Sequence, residues 1–217
     1  MSDSPFSDQV MTFAKAPSLA ELPDVIDVRT VTPPNPPEET QMKFVGLSYE
    51  SAYAEAETFV KVVDEFSVKH GPGALASLRR IIDFGSGWGR ISRTLLTKVE
   101  PHQLHALDVD NQMTALINLS LPGLNALTID PEPPTVLGDE SVNGLLAFSV
   151  FSHLSGGAHE AWAAEIGRLV APGGFAAITV LDQAFFGQVA GAQAAVKAGT
   201  ADDFATSLAT TFDDVAA

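Results

Sequence analysis

The chain has 217 residues, which suffices for one α/β domain with additional segments, and 46% of them are hydrophobic, so a sizeable core can form. Acidic residues outnumber basic residues by 27 to 12, giving a formal net charge of -15, and the chain contains no run of four Lys or Arg residues. Such a surface repels phosphate backbones and anionic membranes, so neither nucleic acid nor a membrane is expected as a partner, and the absence of cysteine excludes disulfides and thiolate sites.

The first 47 residues are predicted to be an irregular N-terminal segment. This segment lacks the basic and apolar stretches of a signal peptide, and no part of the chain approaches the length of a membrane-spanning helix, so a cytoplasmic location is expected. Near its end, the run PPNPPEE from Pro33 to Glu39 predicts an extended connector, because proline lacks an amide donor and fixes φ.

A long helix is predicted over residues 48–70. Apolar residues recur there at spacings of three and four, which places them on one face: Tyr49, Ala52, Tyr53, Ala56, Phe59, Val60, Val63 and Phe66. Gly71-Pro72-Gly73 predicts the end of this helix. The face packs on a core, and a helix in this position could also cover a site, which makes Tyr49 and Tyr53 candidates for substrate contact.

Strands and helices alternate from residue 79 onwards. Short apolar runs predict strands at 79–84, 103–109, 125–129, 142–151 and 175–181. Helical spacing predicts helices at 90–98, 111–119 and 158–170, and Pro172-Gly173-Gly174 is predicted to stop the last of them. This alternation predicts an α/β fold of the Rossmann-like, doubly wound type, with a mostly parallel sheet and helices on both faces. The alanine-rich segment 183–217 is predicted to be helical.

The stretch IIDFGSGWGRISRTLL, Ile81 to Leu96, places three glycines between the first strand and its helix. Gly85, Gly87 and Gly89 exceed what a tight turn needs, and at the carboxyl end of a parallel strand they let a ligand approach the main chain. We interpret them as a loop for a nucleoside cofactor, with a turn that binds no ligand as the alternative. Arg90 stands where the dinucleotide fingerprint requires its last glycine, which argues against a nicotinamide cofactor.

Asp108 ends the second predicted strand, at about the distance from the loop expected for a carboxylate that binds ribose. One carboxylate can accept hydrogen bonds from both the 2′ and the 3′ hydroxyl, and it disfavours a 2′-phosphate. The alternative role for Asp108 is that of a helix cap or a solvated strand end.

Four motifs in order resemble those of class I S-adenosylmethionine-dependent methyltransferases of the small-molecule type: IIDFGSGWGRISRTLL, ALDVDNQM, LLAFSVFSHLS and AWAAEIGRLVAPGGFAAITV. The resemblance covers about residues 43–182. It implies an S-adenosylmethionine-binding domain over residues 48–182, including the leading helix at 48–70. It also implies methyl transfer to a small-molecule acceptor by in-line displacement, with S-adenosylhomocysteine as the product.

The resemblance implies roles for the residues of the first motif. Asp83 and the loop that follows are expected to line the methionine part of the cofactor, through Gly85, Ser86, Gly87, Trp88 and Gly89. For Trp88, packing beneath the loop is the alternative to covering the cofactor.

The other motifs supply the remaining cofactor contacts. By the same resemblance, Asp108 is expected to bind the ribose and Val109 to pack beside the adenine. Asp130 is expected to face the adenine amino group, although the proline that follows it departs from the family pattern. Ser149 is expected beneath the transferred methyl group.

His153 is the candidate catalytic residue. Its imidazole could accept a proton from an acceptor hydroxyl or amine, since histidine titrates near neutrality. A histidine that starts a helix or packs in the core is the alternative. A related set of methyltransferases binds a metal after the fourth strand, where this chain has Ser149, Ser152 and His153; hard-cation ligands are missing, so no metal is expected.

The end of the chain departs from the family pattern. Such methyltransferases continue after the fifth strand with a helix and an antiparallel pair of strands, which residues 183–217 do not resemble. These C-terminal antiparallel strands are therefore expected to be missing or truncated. A non-catalytic or truncated cofactor-binding domain is the first alternative function, and a nicotinamide-dependent oxidoreductase is the second.

Overall fold

The computed structural model describes residues 35–211, and these residues divide between two compact units, of which the first ends at Thr179 and the second begins at Val180. The predictions for residues 1–34 and 212–217 lie outside the described residues. Within the described range, no helix has both the length and the apolar character needed to span a membrane.

The first unit is built around a five-stranded sheet. Its strands are β1 (Ile81–Phe84), β2 (Leu104–Asp108), β3 (Asn125–Thr128), β4 (Val142–Ala147) and β5 (Val170–Ile178). Their spatial order is β3-β2-β1-β4-β5 and all neighbours are parallel. This confirms the predicted mostly parallel sheet. The chain order reverses between β1 and β4, so a ligand crevice is expected at the carboxyl ends of these two strands. Between residues 35 and 211, no antiparallel strand joins the sheet.

Five helices accompany the sheet: α1 (Glu38–Val45), α2 (Tyr49–His70), α3 (Arg90–Leu95), α4 (Asn111–Ser120) and α5 (Gly156–Leu169). Two of them carry side-chain N-caps, because Asp110 accepts from the Gln112 amide and Ser155 accepts from the Ala158 amide. Short 3₁₀ turns at Leu75–Ser77, Pro101–Gln103 and Phe151–His153 complete the connections.

Each face of the sheet buries its own apolar cluster. On one face, Ile81 and Leu104 pack with residues of α2, α3 and α4, including Val60, Leu95 and Ile117. On the other face, the cluster joins the strands to α5 and contains Ile82, Leu107, Leu145, Trp162 and Ile166. Adjacent residues of β1 therefore point to opposite faces, as the period of a strand requires. Helices cover both faces, which confirms the predicted doubly wound architecture.

Residues 38–45 correct the prediction of an irregular segment up to residue 47. They form α1, which begins directly after Pro37. Proline is tolerated at a helix start because the amide it lacks has no partner there. Glu38 and Glu39 lie in the first turn, and Gly46 closes the helix in the left-handed conformation. The proline run thus ends where a helix begins.

The start of β5 is a second correction. The helix ends at Leu169, and β5 begins at Val170 rather than at the predicted residue 175. Val170 pairs with Val142 and Phe175 pairs with Gly144, so the intervening residues bulge from the ladder. Gly173 has a φ of 80° within this bulge. The Pro-Gly-Gly run therefore forms an irregularity inside the strand instead of a helix stop.

The second unit contains two helices, α6 (Gln183–Ala198) and α7 (Asp203–Thr211). Asp182 caps α6 by accepting from the Phe185 amide at 3.0 Å, and Gly199 ends the helix with a φ of 70°. The alanine-rich sequence is thus helical over these two spans.

Candidate functional site

A cavity of about 780 Å³ opens at the carboxyl ends of β1, β2 and β4. Its walls comprise residues 84–88, 108–109 and 148–150, which lie at the ends of these strands. Residues 42–45 of α1 and Gly46, which caps that helix, also line it. The volume is within the range of about 300–1,000 Å³ that is typical of small-molecule sites. The cavity therefore occupies the place at which an open α/β sheet binds its ligands.

Most of the predicted site residues contribute to this cavity. Its lining contains Gly85, Ser86, Gly87, Trp88, Asp108, Val109, Ser149 and His153. Asp83, Gly89 and Asp130 lie outside the lining. Asp130 is exposed, whereas its neighbours Ile129 and Pro131 both line the cavity.

The three glycines of the loop have different physical reasons for being glycine. A Cβ on Gly85 would lie 2.3 Å from Cγ2 of Val150, and a Cβ on Gly89 would lie 3.0 Å from Cγ1 of Ile117. Both glycines therefore permit close packing within the protein. At Gly87, by contrast, a Cβ would meet no described atom within 4 Å, although φ is 51°. Gly87 is the glycine whose Cα faces open space.

This contrast predicts two different mutant phenotypes. Gly85→Ala should lose about 2–4 kcal/mol of unfolding free energy, since a clash adds to left-handed strain. Gly87→Ala should lose only about 1–2 kcal/mol. It should nevertheless weaken S-adenosylhomocysteine binding by about tenfold or more, because its methyl group enters the ligand space. Urea unfolding and calorimetric titration measure the two quantities.

Gly173→Ala is the matched control for Gly87→Ala. Gly173 also has a positive φ and open space where a Cβ would lie, but it is outside the cavity lining. Its replacement should cause a similar loss of stability and no change in affinity. Equal affinities of the Gly87 and Gly173 variants would contradict the assignment of Gly87 to the ligand site.

Asp108 joins the two strand ends. Its Oδ2 accepts a hydrogen bond from the Gly87 amide at 2.7 Å, and its Oδ1 accepts one from the Asp110 amide at 2.8 Å. The side chain is 8% exposed and lines the cavity. Because each ionised oxygen can accept more than one hydrogen bond, the carboxylate keeps acceptor capacity for a ligand diol. It is neither a helix cap nor solvated, since Asp110 caps α4 instead.

Ser86 and Trp88 differ in what they offer the cavity. The hydroxyl of Ser86 is buried and finds no hydrogen-bond partner among the described residues, although the residue lines the cavity. The hydroxyl is therefore available to form a hydrogen bond with a molecule bound in the cavity. Trp88 is 1% exposed and packs in a cluster with Ala52, Tyr53 and Met113, with its ring 5.7 Å from that of Tyr53. Its bulk is thus in the core beneath the loop.

Asp83 lies on β1 and is only 1% exposed. Burial raises its pKa to about 6, the nearby charge of Asp108 adds to this, and a 2.6 Å hydrogen bond donated by Ser92 Oγ partly opposes it. A carboxyl group at this depth is within electrostatic reach of the site but does not form its wall.

The raised pKa of Asp83 predicts a pH-dependent stability. The folded state holds this proton up to about pH 6, whereas the unfolded chain releases it near pH 4. The folded state therefore binds more protons between these values, and the contribution of Asp83 to stability falls as pH rises through this window, by up to about 3 kcal/mol. Urea unfolding of the wild type and of Asp83→Asn at pH 4 to 7 measures it. The stability difference between wild type and variant should decline with pH; a constant difference would contradict the assignment.

The loop after β4 brings Ser149 and His153 to the cavity mouth. Ser149 has a φ of 59°, which is uncommon for serine, and its amide donates to Thr179 Oγ1 at 2.7 Å. A strained residue held in this way beside a cavity is typical of a functional position. His153 is exposed, and its amide donates to the Val150 carbonyl at 3.0 Å. Both residues therefore lie where an acceptor could enter.

Some cavity residues depend on long-range packing, and local sequence pattern did not predict them. Arg90 is 6% exposed, donates to the Ala52 carbonyl at 3.1 Å and forms an ion pair with Glu55. Its guanidinium carbon lies 4.9 Å from the Phe148 ring centre. The only sequence feature that could have indicated a place for Arg90 in the site was its position directly after the glycine loop.

Trp162 also lines the cavity, although its spacing on α5 indicated only a core position. Its indole donates to the Pro131 carbonyl at 3.0 Å and so fixes the wall beyond β3. The same loop is tied to α5 by Glu165, which accepts from the amide and the hydroxyl of Thr135. Hydrogen bonds to Arg168 and Thr135 lower the pKa of Glu165 to about 2, so it is ionised at neutral pH.

Residues 35–211 contain no group of three or more His, Cys, Asp or Glu side chains arranged to hold a metal ion.

Residues 81–174 match a family model described as a methyltransferase domain. Among solved structures, a protein from Pyrococcus horikoshii OT3 is 15% identical, with a TM-score of 0.47 over 61% of this chain and 59% of that one. A SAM-dependent methyltransferase from Archaeoglobus fulgidus is 14% identical, with a TM-score of 0.43 over 60% and 52%. SAM-bound CalS10, an amino pentose methyltransferase from Micromonospora echinaspora, is 20% identical, with a TM-score of 0.41 over 61% and 51%.

This chain thus spans between 51% and 59% of the length of these three proteins. A search of curated proteins gives no match. The family match covers the sheet from β1 into β5, including the glycine loop and Asp108. Residues 81–174 of this chain, fewer than half of its 217 residues, are therefore similar in sequence to a methyltransferase domain.

Proposed function

We propose that this chain transfers the methyl group of S-adenosylmethionine to a small-molecule acceptor by in-line displacement. The observation that carries the proposal is the hydrogen bond between Gly87, which faces open space, and Asp108, whose carboxylate lines the same cavity. When bound, S-adenosylmethionine would supply a methyl group attached to a positively charged sulfur. The sulfur is a good leaving group because it becomes a neutral thioether. The protein then has mainly to position the reactants and to exclude water.

The residues around this pair suit the parts of the cofactor. Asp108 can accept hydrogen bonds from the two ribose hydroxyls, and the unpaired hydroxyl of Ser86 can bond to a polar group of the ligand. Val109, which is 54% exposed, and Pro131 provide apolar surface for the adenine. Asp83 is assigned an electrostatic role below the loop, since a buried carboxyl group favours a cationic ligand when it is ionised.

On the acceptor side, we assign His153 as the general base. The acceptor atom forms a bond to the methyl carbon while the carbon–sulfur electron pair returns to sulfur, and a proton lost by the acceptor passes to the imidazole. His153→Gln should lower kcat by about tenfold, less than a fully enclosed base would lose, because water can replace an exposed one. The KM for S-adenosylmethionine should stay the same.

His159→Gln is the control for this variant. His159 lies on α5 in edge contact with Phe151 and outside the cavity lining, so its replacement should leave kcat unchanged. If the two histidine variants had equal rates, His153 would have no role as a base.

The small-molecule assignment rests on charge. A net charge of -15 opposes binding of RNA or DNA. Incubation with methyl-labelled S-adenosylmethionine and a fractionated cell extract should place the label in the low-molecular-weight fraction, with much less label after Asp108→Asn. Label in the RNA or protein fraction would contradict the small-molecule proposal while leaving methyl transfer in place.

One observation supports a second candidate, a cofactor-binding domain without activity. β5 ends the sheet among the described residues, and its residues are half-buried or exposed. The antiparallel strands that are expected after β5 are therefore not found among the described residues. Binding of S-adenosylhomocysteine without label in any fraction would favour this candidate. A nicotinamide-dependent reaction would instead require stabilisation by a dinucleotide.

A further inference from the structure

We propose that the acceptor is an uncharged molecule with an apolar, ring-sized body that binds against Met42 and Phe44 of α1. This inference rests on the proposed methyl transfer and specifies its substrate class.

The cavity lining contains two chemically different sets of residues. The loop after β1 and the end of β2 supply the groups assigned to the cofactor. The remaining walls come from α1 and from the loop after β4, and they include Met42, Phe44, Val45 and Phe148. Met42 and Phe44 are 47% and 39% exposed, although they line a cavity. Covering such exposed apolar side chains with a ligand stabilises the complex, because it removes their apolar surface from water.

Two charged residues of the cavity lining, Arg90 and Glu55, already pair with each other. The Arg90 guanidinium is held by Glu55, by the Ala52 carbonyl and by the face of Phe148. The Arg90 side chain is 7% exposed and that of Glu55 is 45% exposed, so the guanidinium is enclosed while the carboxylate faces the opening. An acceptor carrying its own charge would lose hydration here and would have to compete with an existing pair. Lys43 is exposed, so solvent screens its charge, and its Nζ lies 5.4 Å from the centre of the Phe44 ring.

The position of α1 is fixed by a buried amide. Gln41 is fully buried, donates from Nε2 to the Pro36 carbonyl at 2.9 Å and accepts from the Tyr49 amide at 2.8 Å. These bonds tie α1 to the start of α2. Met42 and Phe44 therefore belong to a helix that is held in place before and after them. A wall with a fixed position suits recognition of a ring-shaped body better than a mobile segment of the protein would.

Three naphthalenes that differ in charge test this inference. With the protein saturated by S-adenosylhomocysteine, titration at pH 7 should show 2-naphthol binding about tenfold or more tightly than 2-naphthoate and 2-naphthylmethylammonium. Phe44→Ala should weaken 2-naphthol binding by about tenfold, and Met42→Ala by a smaller factor.

Leu119→Ala is the control, because Leu119 is 84% exposed on α4 and outside the cavity lining. It should leave 2-naphthol binding unchanged. If a charged naphthalene binds as tightly as 2-naphthol, or if Phe44→Ala behaves like Leu119→Ala, the inference is overturned while cofactor binding stands. If S-adenosylhomocysteine itself does not bind, the proposed function fails and the inference fails with it.

Discussion

Replacement of Asp108 by Asn is expected to weaken binding of S-adenosylhomocysteine by about a hundredfold. The carboxylate accepts hydrogen bonds from the backbone amides of Gly87 and Asp110. We propose that it accepts hydrogen bonds from the ribose hydroxyls as well. An Asn side chain keeps the shape but replaces one acceptor oxygen by a donor. Loss of charge-assisted hydrogen bonds costs about 1.5–3 kcal/mol each, and a hundredfold change corresponds to about 2.7 kcal/mol. Isothermal titration calorimetry measures the dissociation constant.

Asp110→Asn is the matched control for Asp108→Asn. Asp110 is also an aspartate and lies two residues after the end of β2, but its side chain caps α4 by accepting from the Gln112 amide at 2.8 Å. Asparagine is an equally good N-cap, so this variant should keep both its stability and its affinity. Affinities of the two variants within a factor of about three would remove Asp108 from the ribose site.

Trp88→Ala is expected to lose about 3–5 kcal/mol of unfolding free energy, because it removes a large side chain that is 1% exposed. Trp88→Phe should lose much less, about 1–2 kcal/mol. The reason is that the buried indole nitrogen of Trp88 has no hydrogen-bond partner among the described residues, so phenylalanine removes an unpaired donor together with some volume. Urea unfolding at neutral pH measures both values.

Trp162→Phe provides the comparison. Trp162 is 2% exposed, and its indole donates a hydrogen bond to the Pro131 carbonyl. Phenylalanine at this position would remove that bond and leave the Pro131 carbonyl without its donor. Trp162→Phe should therefore cost more than Trp88→Phe. If Trp88→Ala left stability nearly unchanged and instead abolished S-adenosylhomocysteine binding, Trp88 would be a cover for the cofactor and not a core residue.

Local sequence pattern sufficed for the existence and order of the five strands and for the glycine loop. The strands of this fold are short and apolar and are separated by helical spacing, so each could be predicted from its own residues. The same logic failed at α1, because a run of prolines predicts extended chain up to the residue where a helix can start. It failed at β5, because Pro-Gly-Gly is as compatible with a bulge as with a helix end.

The candidate site was predictable only where its residues follow a strand. Asp108 and Gly87 meet because the carboxyl ends of β1 and β2 are neighbours in any parallel sheet. The pairing of Arg90 with Glu55 depends instead on how α2 packs across the loop, over a separation of 35 residues. Neither residue carries a local signal of this contact. That Ile129 and Pro131 line the cavity while Asp130 does not was likewise not predictable without the path of the backbone.

A crystal structure of the protein with S-adenosylhomocysteine at saturating concentration would test the proposed cofactor site without an intermediate step. Ligand density is expected in the cavity at the ends of β1 and β2. The ribose hydroxyls should lie within hydrogen-bond distance of the Asp108 carboxylate, and the chain bearing the sulfur should pass over Gly87. Ligand density at another place, or a ribose that makes no contact with Asp108, would contradict the proposed site.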